Sequence, residues 1–481
     1  MSTGGVPTGG SGGAAVGASA AAALEGARRV PLWLDDPSRP APRQELDADL
    51  VVDLVVVGGG FTGLWAALLA VQEQPGRSVA LLEAGTLGWA ASGRNGGFCS
   101  ASLTHGLANG LKRWPNEMPV LQRLGSENLH GILDTIAEAG IACDLERTGD
   151  LTVAVAPWQR EELRSAYDVC VDLGVPAQWL ETGEVRALVN SPTYLAGLRI
   201  PEETVIVNPA RLVWGLAGQV EPLGVTIHER TRVTALADEG GRVRVETTGG
   251  VVRARHVVLA TNAFRSRLPR VRPYLVPVWD HVLATQPLRA EQKAAIGWAG
   301  REGLSDAGNQ FHYYRLTADD RIVWGGYDAV YYFGSDLSSR RQRRPATEAM
   351  LAANFLRTFP QLEGIAFSHA WAGAVDTCTR FTAFWVTSLG GKAAAVQGYT
   401  GLGVGASRFG AQVALDLLDG RENERTRLDM VRRKPVPFPP EPVRWAGITM
   451  TRWSIARADA AAGRRNLWLR TLDRMGLGFD S

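Results

Sequence analysis

Residues 53–85 read DLVVVGGGFTGLWAALLAVQEQPGRSVALLEAG. The apolar run 51–57 has the composition of a buried parallel strand, 61–73 that of a small-residue helix, and a second apolar strand ends at Glu83. Between strand and helix, Gly58, Gly60 and Gly63 match G-x-G-x-x-G. The first glycine permits a tight turn, the second lets a pyrophosphate approach the backbone, and the third lets helix pack on strand. The amides of the helix N-terminus then face an anion. Glu83 lies 20 residues beyond Gly63, where a carboxylate accepts hydrogen bonds from an adenosine ribose and repels a 2'-phosphate. This unit predicts an adenine dinucleotide site and leaves open whether the nucleotide carries nicotinamide or flavin.

The composition narrows the setting. At 481 residues there is room for two or three domains. With 45% hydrophobic and 21% charged residues and a formal net charge of +2, the chain is globular and has no field directing it to nucleic acid. Cys99, Cys143, Cys170 and Cys378 stand far apart with no C-x-x-C pair, which argues against a zinc site or disulfide framework and for a reducing compartment. No run of about 18 uncharged apolar residues occurs, so no transmembrane segment is expected. Residues 1–24 are almost wholly Gly, Ala, Ser and Thr, too poor in apolar surface to offset their ordering entropy. A disordered tail over 1–30 is therefore expected; it lacks the pattern of a secretory signal, and the expected location is cytoplasmic.

Along the chain, GWAASGRNGGFCSASL at 88–103 reads as a loop that approaches a ligand, and 117–139 and 158–173 read as helices. Asn208-Pro209 is a helix start, with asparagine as cap and proline in the first turn. Alternating strands fill 224–262 and again 276–333, the latter suggesting an antiparallel sheet. KAAAVQGYTGLGVGASRFGAQVALDLLDG, 392–420, is strand, glycine loop and long helix, a second helix N-terminus facing a ligand. The fold expected is α/β: a Rossmann-like nucleotide-binding domain discontinuous in sequence (45–148, 200–275 and 360–425) plus a mainly antiparallel β, α+β substrate domain (149–199 and 276–359), followed by a C-terminal extension, 426–481. In that extension Leu469, Leu472 and Met475 can share one helix face.

GGGFTG with Glu83, ASGRNGG at 91–97, LATNAF at 259–264 and GYTGLGVG at 398–405 together resemble the FAD-dependent oxidoreductases of the D-amino-acid oxidase and glycine oxidase superfamily, and within it the gamma-glutamylputrescine oxidase branch. The resemblance spans most of residues 50–420 and implies FAD as cofactor, held without a covalent bond, although Cys99 and Cys378 lie near flavin-contacting segments. It implies that Gly58, Gly60, Phe61, Thr62, Gly63, Glu83 and Ala84 hold the nucleotide end. Ala91, Ser92, Arg94, Asn95, Gly96 and Gly97 run along the pyrophosphate and under the ring. Val233, Ala260, Thr261 and Asn262 lie beside the adenosine, with Gly373 and the Gly401, Leu402, Gly403, Val404 loop at the flavin, where amides and a helix dipole stabilise the reduced anion.

The activity implied is oxidation of an amine or amino acid to an imine that water hydrolyses, with oxygen reduced to hydrogen peroxide. Such chemistry needs a substrate positioned and desolvated more than it needs a dedicated base, and no residue stands out as catalytic. Phe311, Tyr313, Tyr314, Trp324, Tyr327, Tyr331, Tyr332 and Phe333 concentrate eight aromatics in one segment, suited to a cationic or alkyl amine. Tyr314, Trp324, Tyr327 and Tyr399 are the expected substrate contacts, and Arg315 the expected partner for a substrate carboxylate. His281 and His312 read as structural, and His105 as an entrance residue. Two other readings remain: an FAD-dependent dehydrogenase that passes electrons to a quinone or carrier protein, and a flavin-binding subunit without turnover. No metal is expected, and nothing in the sequence sets an oligomeric state.

Overall fold

Strand Leu50–Val57 is the centre of the first sheet, and its second half is the reason: Leu54, Val55 and Val56 are fully buried and can face only other apolar layers. It runs parallel to Val79–Leu82 on one side and Val251–Leu259 on the other, the latter running parallel to Ala393–Gln397. The order across the sheet is 384–388, 393–397, 251–259, 50–57, 79–82 and 226–228, with the hairpin 233–238 and 243–247 pairing beside 251–259. These strands come from three distant stretches of chain. The computed structural model describes residues 11–478.

Helix Phe61–Glu73 follows the first strand and is buried nearly all round, from Phe61 through Val71. It packs against helix Gly403–Leu418 and helix Pro209–Val220. The last begins as its sequence implies, with Asn208 Oδ1 accepting from the Arg211 amide at 3.2 Å. Burying a large apolar side chain contributes roughly 1.5–3 kcal/mol, so this helix layer anchors the glycine turn at its N-terminus.

The second sheet is mostly antiparallel and runs 367–377, 276–285, 322–326, 312–316, 303–306, 150–154, 196–200 and 178–181; its 303–306 and 150–154 pair is parallel. One face is closed by helix Pro345–Thr358, with Phe355, Phe359 and Trp324 in a common core. Strand Phe367–Thr377 belongs here and not with the nucleotide-binding part, because it pairs with Val276–Thr285 along its whole length. The apolar composition of FSHAWAGAV suits either sheet, so only pairing separates the two.

The N-terminal expectation is corrected for the described residues. Ser11–Ala23 is a helix packed on helix Pro345–Thr358, and Ala20 and Ala23 are buried in the second core. Alanine has the highest helix propensity, and a preformed apolar surface supplies the burial that the segment lacks alone. Beyond it the Arg28 amide donates to Ser368 O at 2.8 Å and the Ala370 amide to Arg28 O at 2.9 Å. Residues 1–10 lie outside the described residues. The four cysteines are unpaired and buried, and no helix among the described residues is long and apolar enough to cross a membrane.

Candidate active site

Between the two sheets lies one cavity of 2070 Å³, against about 300–1,000 Å³ for an ordinary ligand pocket. At one end stands the glycine turn. Gly58 has φ +114°, and a Cβ there would lie 2.4 Å from Ala260 O; a Cβ on Gly63 would lie 1.8 Å from Gly58 O. The helix thus approaches the strand as closely as backbone permits. Gly58, Gly60, Phe61, Thr62, Glu83, Ala84, Ala91, Ser92, Val233, Ala260, Thr261 and Asn262 line this end. Gly63 lies behind the wall and sets its shape.

Glu83 is buried, and burial raises its carboxyl above the ordinary range. It accepts 2.7 Å hydrogen bonds from the amides of Gly59 and Gly85 and from Trp89 Nε1. The carboxylate therefore ties the glycine turn to the end of the next strand.

The loop at 91–97 is held by its own side chains. Asn95 Nδ2 donates to Ala91 O and Ser92 O at 3.0 and 2.9 Å, and Asn95 Oδ1 accepts from the Gly97 amide at 2.8 Å. Arg94 donates to Trp89 O at 2.7 Å, to Ala372 O at 2.9 Å and to Gln342 Oε1 at 3.2 Å. Burial lowers its guanidinium to about 10. Arg94, Asn95, Gly96 and Gly373 face the cavity. Gly97, φ +81°, is covered instead: a Cβ there would meet Val207 O at 2.2 Å and Arg315 Nη1 at 2.9 Å.

Across from this loop, Gly401, Leu402, Gly403 and Val404 line the cavity at the start of helix Gly403–Leu418. Asp376 holds that loop, accepting from the Gly398 amide at 2.6 Å, and burial raises its carboxyl to about 7. Tyr399 lines the cavity, its hydroxyl accepting from Thr62 Oγ1 at 2.9 Å. Two helix N-termini, 61–73 and 403–418, therefore open on one space, and first-turn amides have no partner within their own helix. A narrow backbone cradle at one end and two helix N-termini along the wall fit an elongated, doubly charged dinucleotide.

The substrate expectations divide by strand parity. Successive side chains alternate faces, and on strand His312–Leu316 it is Tyr313 that lines the cavity. Tyr314 points the other way, fully buried, its hydroxyl 2.8 Å from that of Tyr194 and donating to Asp306 Oδ1 at 3.2 Å. Trp324 pairs with Tyr314 across the hairpin and shares its buried face. Tyr314 and Trp324 are thus core residues, not substrate contacts. Arg315 is on the cavity face of the strand but lies beneath Gly97, donating to Val207 O at 2.8 Å with its guanidinium 5.0 Å from the Trp33 ring centre. It is removed from the cavity and does not meet a substrate carboxylate there. Tyr327 does line the cavity, stacked on His312 at 4.8 Å.

His312 pairs with Asp306 at 2.8 Å, whereas His281 is buried with neither ring nitrogen hydrogen-bonded, its pKa lowered to about 4 by desolvation. His105 lines the cavity. Cys99 is buried away from it, its thiol pushed up to about 12, while Cys378 reaches the wall with its thiol donating to Thr382 O at 3.1 Å.

Sequence reasoning did not single out Asp280, which lines the cavity and accepts from Tyr313 Oη. A lone charge in VPVWDHVLAT was the available signal. It also missed the cavity wall formed by the extension, where Ile448 and Arg452 on helix Val443–Ala460 and Trp468 and Leu472 on helix Leu467–Arg474 close the outer end. The shared apolar face of Leu469, Leu472 and Met475 was the local signal on the second of these helices, and all three line the cavity.

The model of the DAO family, FAD dependent oxidoreductase, matches residues 53–417. The gamma-glutamylputrescine oxidoreductase of Escherichia coli is 30% identical over 409 residues, covering 83% of this chain and 90% of that protein. A probable oxidoreductase, OrdL, of Haemophilus influenzae is 28% identical over 78% of this chain and 84% of its own length. In fold, the crystal structure of glycine oxidase from Geobacillus kaustophilus aligns with a TM-score of 0.65 at 20% identity, covering 78% of this chain and 96% of that one. With the glycine turn, the second helix N-terminus and the match along most of its length, the chain belongs to the DAO family of FAD-dependent oxidoreductases.

Proposed function

We propose that this protein oxidises an amine, with gamma-glutamylputrescine and related amines as the first compounds to consider, forming an imine that water hydrolyses and returning electrons to oxygen as hydrogen peroxide. The observation that carries the reading is the continuity of the cavity. It runs from the glycine turn past Arg94 and Gly401–Val404 to a chamber walled by Tyr313, Tyr327 and Asp280. The relative of 30% identity that acts on gamma-glutamylputrescine points to the same substrate class.

When bound, FAD supplies the two-electron acceptor for the C–H bond beside the nitrogen. The chain's part is to hold and orient. Gly58, Gly60, Phe61, Thr62, Glu83 and Ala84 would take the nucleotide, Ser92 to Gly96 the middle, and Gly373 with Gly401–Val404 the ring. The dipole of helix Gly403–Leu418 favours negative charge developing at its N-terminus. Tyr313 and Tyr327 exclude water from the substrate and leave it a narrow set of orientations. Buried free thiols suit a reducing, cytoplasmic setting.

The test is anaerobic mixing of the yellow holoprotein with gamma-glutamyl amines, polyamines, and D- and L-amino acids, followed at the flavin absorption bands. Bleaching by an amine, with peroxide released on admitting air, is the expected result. Bleaching without peroxide would assign a dehydrogenase, and no bleaching by any of these compounds would overturn the reading.

A further inference from the structure

The least explained group in the cavity is Asp280. It sits in the middle of strand Val276–Thr285, in a run of apolar neighbours, directly opposite Gly373 in the antiparallel register. Directly paired residues project to the same face of a sheet, so the side chain of Asp280 extends over the place that Gly373 leaves empty. That place adjoins the 91–97 loop, because a Cβ on Gly373 would lie 3.3 Å from Arg94 Cβ. On the other side, the Tyr313 ring is packed against Gly96, where a Cβ would lie 2.6 Å from Tyr313 Cε2. The carboxylate is thus seated where the loop that would underlie the flavin meets the substrate chamber.

Its partners are all neutral: Tyr313 Oη donates to Oδ2, the Gly326 amide to Oδ1 at 3.2 Å, and the His281 amide bonds it as well. A carboxylate so enclosed is costly without a cation. No arginine is among the groups that hydrogen-bond Asp280 or shift its carboxyl. Arg94 is committed to three acceptors, and Arg452 pairs with Asp328 at 3.5 Å on the outer wall. Arg315, the one guanidinium that sequence reasoning offered for a substrate carboxylate, is walled off beneath Gly97. The inner chamber therefore presents negative charge, a phenol and aromatic faces, which together suit an alkylammonium group and disfavour a carboxylate.

We propose that Asp280, oriented by Tyr313, is the anionic anchor that receives the cationic nitrogen of the substrate, and that it makes the enzyme selective for cationic alkylamines over amino acids whose carboxylate must enter the same chamber. This deepens the amine-oxidation reading and rests on it for the identity of the bound nitrogen. Supporting it, burial raises the Asp280 carboxyl to about 6 in the absence of a cation, the direction expected of a site that lacks its counter-ion.

Calorimetric titration of the holoenzyme at pH 8 with butyltrimethylammonium, a cation that carries no N–H, and with hexanoate, an anion of similar size, tests the anchor apart from turnover. The native protein should bind the cation at least tenfold more tightly than hexanoate. Asp280→Asn should lose at least tenfold in cation affinity with unchanged flavin content, and Asp280→Glu should recover part of it. Tyr313→Phe should keep the cation preference with a smaller loss, since the charge remains. A native preference for hexanoate, or undiminished cation binding by Asp280→Asn, overturns the proposal, and the first of these needs no variant to fold. If no amine bleaches the flavin yet the cation binds through Asp280, the functional reading fails and the anchor stands. If amines bleach native and Asp280→Asn proteins at the same concentrations, the reading stands and the anchor fails.

Discussion

The two sheets that enclose the cavity build their halves of the site in different ways. The first sheet, whose central strands are parallel, does so with backbone: Gly58 and Gly63 act through the absence of side chains, and the starts of helices 61–73 and 403–418 act through their amides. The antiparallel sheet does so with side chains, and there the deciding variable is which of two faces a residue occupies. Tyr313 and Tyr314 are adjacent in sequence and chemically identical, yet one meets the cavity and the other is sealed in a core with Trp324 and Phe359. Backbone sites can be read from spacing, whereas side-chain sites need the register.

If that contrast is right, the largest effect should come from Gly63→Ala, whose Cβ would lie 1.8 Å from Gly58 O. Purified variant protein should carry little or no FAD by its ratio of 450 nm to 280 nm absorbance, as expected of a displaced phosphate cradle. Gly373→Ala, whose new methyl would meet only Arg94 carbons within the protein, at 3.3 Å or beyond, but would face the space proposed for the flavin ring, should lose less flavin than Gly63→Ala. Normal flavin content in Gly63→Ala would break the backbone half of the comparison.

The next effect is electrostatic. Asp376 is raised from an ordinary 3.8 to about 7 by burial, so the folded protein binds its proton more tightly than the unfolded chain does. Stability from this group is fully present below about pH 4 and is lost as pH rises toward 7, on the order of a few kcal/mol in all. Thermal melts of native and Asp376→Asn holoprotein between pH 4 and 8 should therefore diverge in favour of the variant as pH rises. Parallel curves would show that the loop at 398–403 is not held by a protonated carboxyl.

Smaller still is the paired substitution at the hairpin. Tyr314→Phe removes hydroxyl contacts to Tyr194 and Asp306 in the core and should cost about 1–2 kcal/mol in denaturant unfolding while leaving the amine concentration for half-maximal flavin reduction unchanged. Tyr313→Phe should raise that concentration and, because it removes the donor to the buried Asp280 carboxylate, should cost stability as well. Equal effects of the two on substrate affinity would mean that parity does not divide the sheet. The smallest effect is expected at the extension: exposed Trp445→Ala should stay within about 0.5 kcal/mol of native stability, whereas Trp468→Ala, which opens the cavity wall and removes a 2.9 Å bond to Thr451 Oγ1, should change substrate affinity as measured by the same reduction titration.

Most of the nucleotide half was legible because local patterns carry it. Strand, glycine turn and helix at 51–73, the Asn208 cap, and the strand and helix flanking 398–403 all stand where the residues place them. Composition misled at the N-terminus, since Ser11–Ala23 finds its burial on a helix more than 300 residues away. It was silent on strand Phe367–Thr377, whose residues suit either sheet.

Glycine spacing, helix starts and apolar periodicity are properties of contiguous residues, so the chain alone determined a dinucleotide-binding α/β unit and the family to which it belongs. Strand register, and with it the choice of Tyr313 over Tyr314, the burial of Arg315 beneath Gly97, the meeting of Asp280 with Gly373, and the closure of the cavity by residues 443–478, depends on partners brought from elsewhere in the chain. A side chain's face is fixed only when its strand is paired, and that is why the tertiary structure alone decided which side chains of the antiparallel sheet line the cavity.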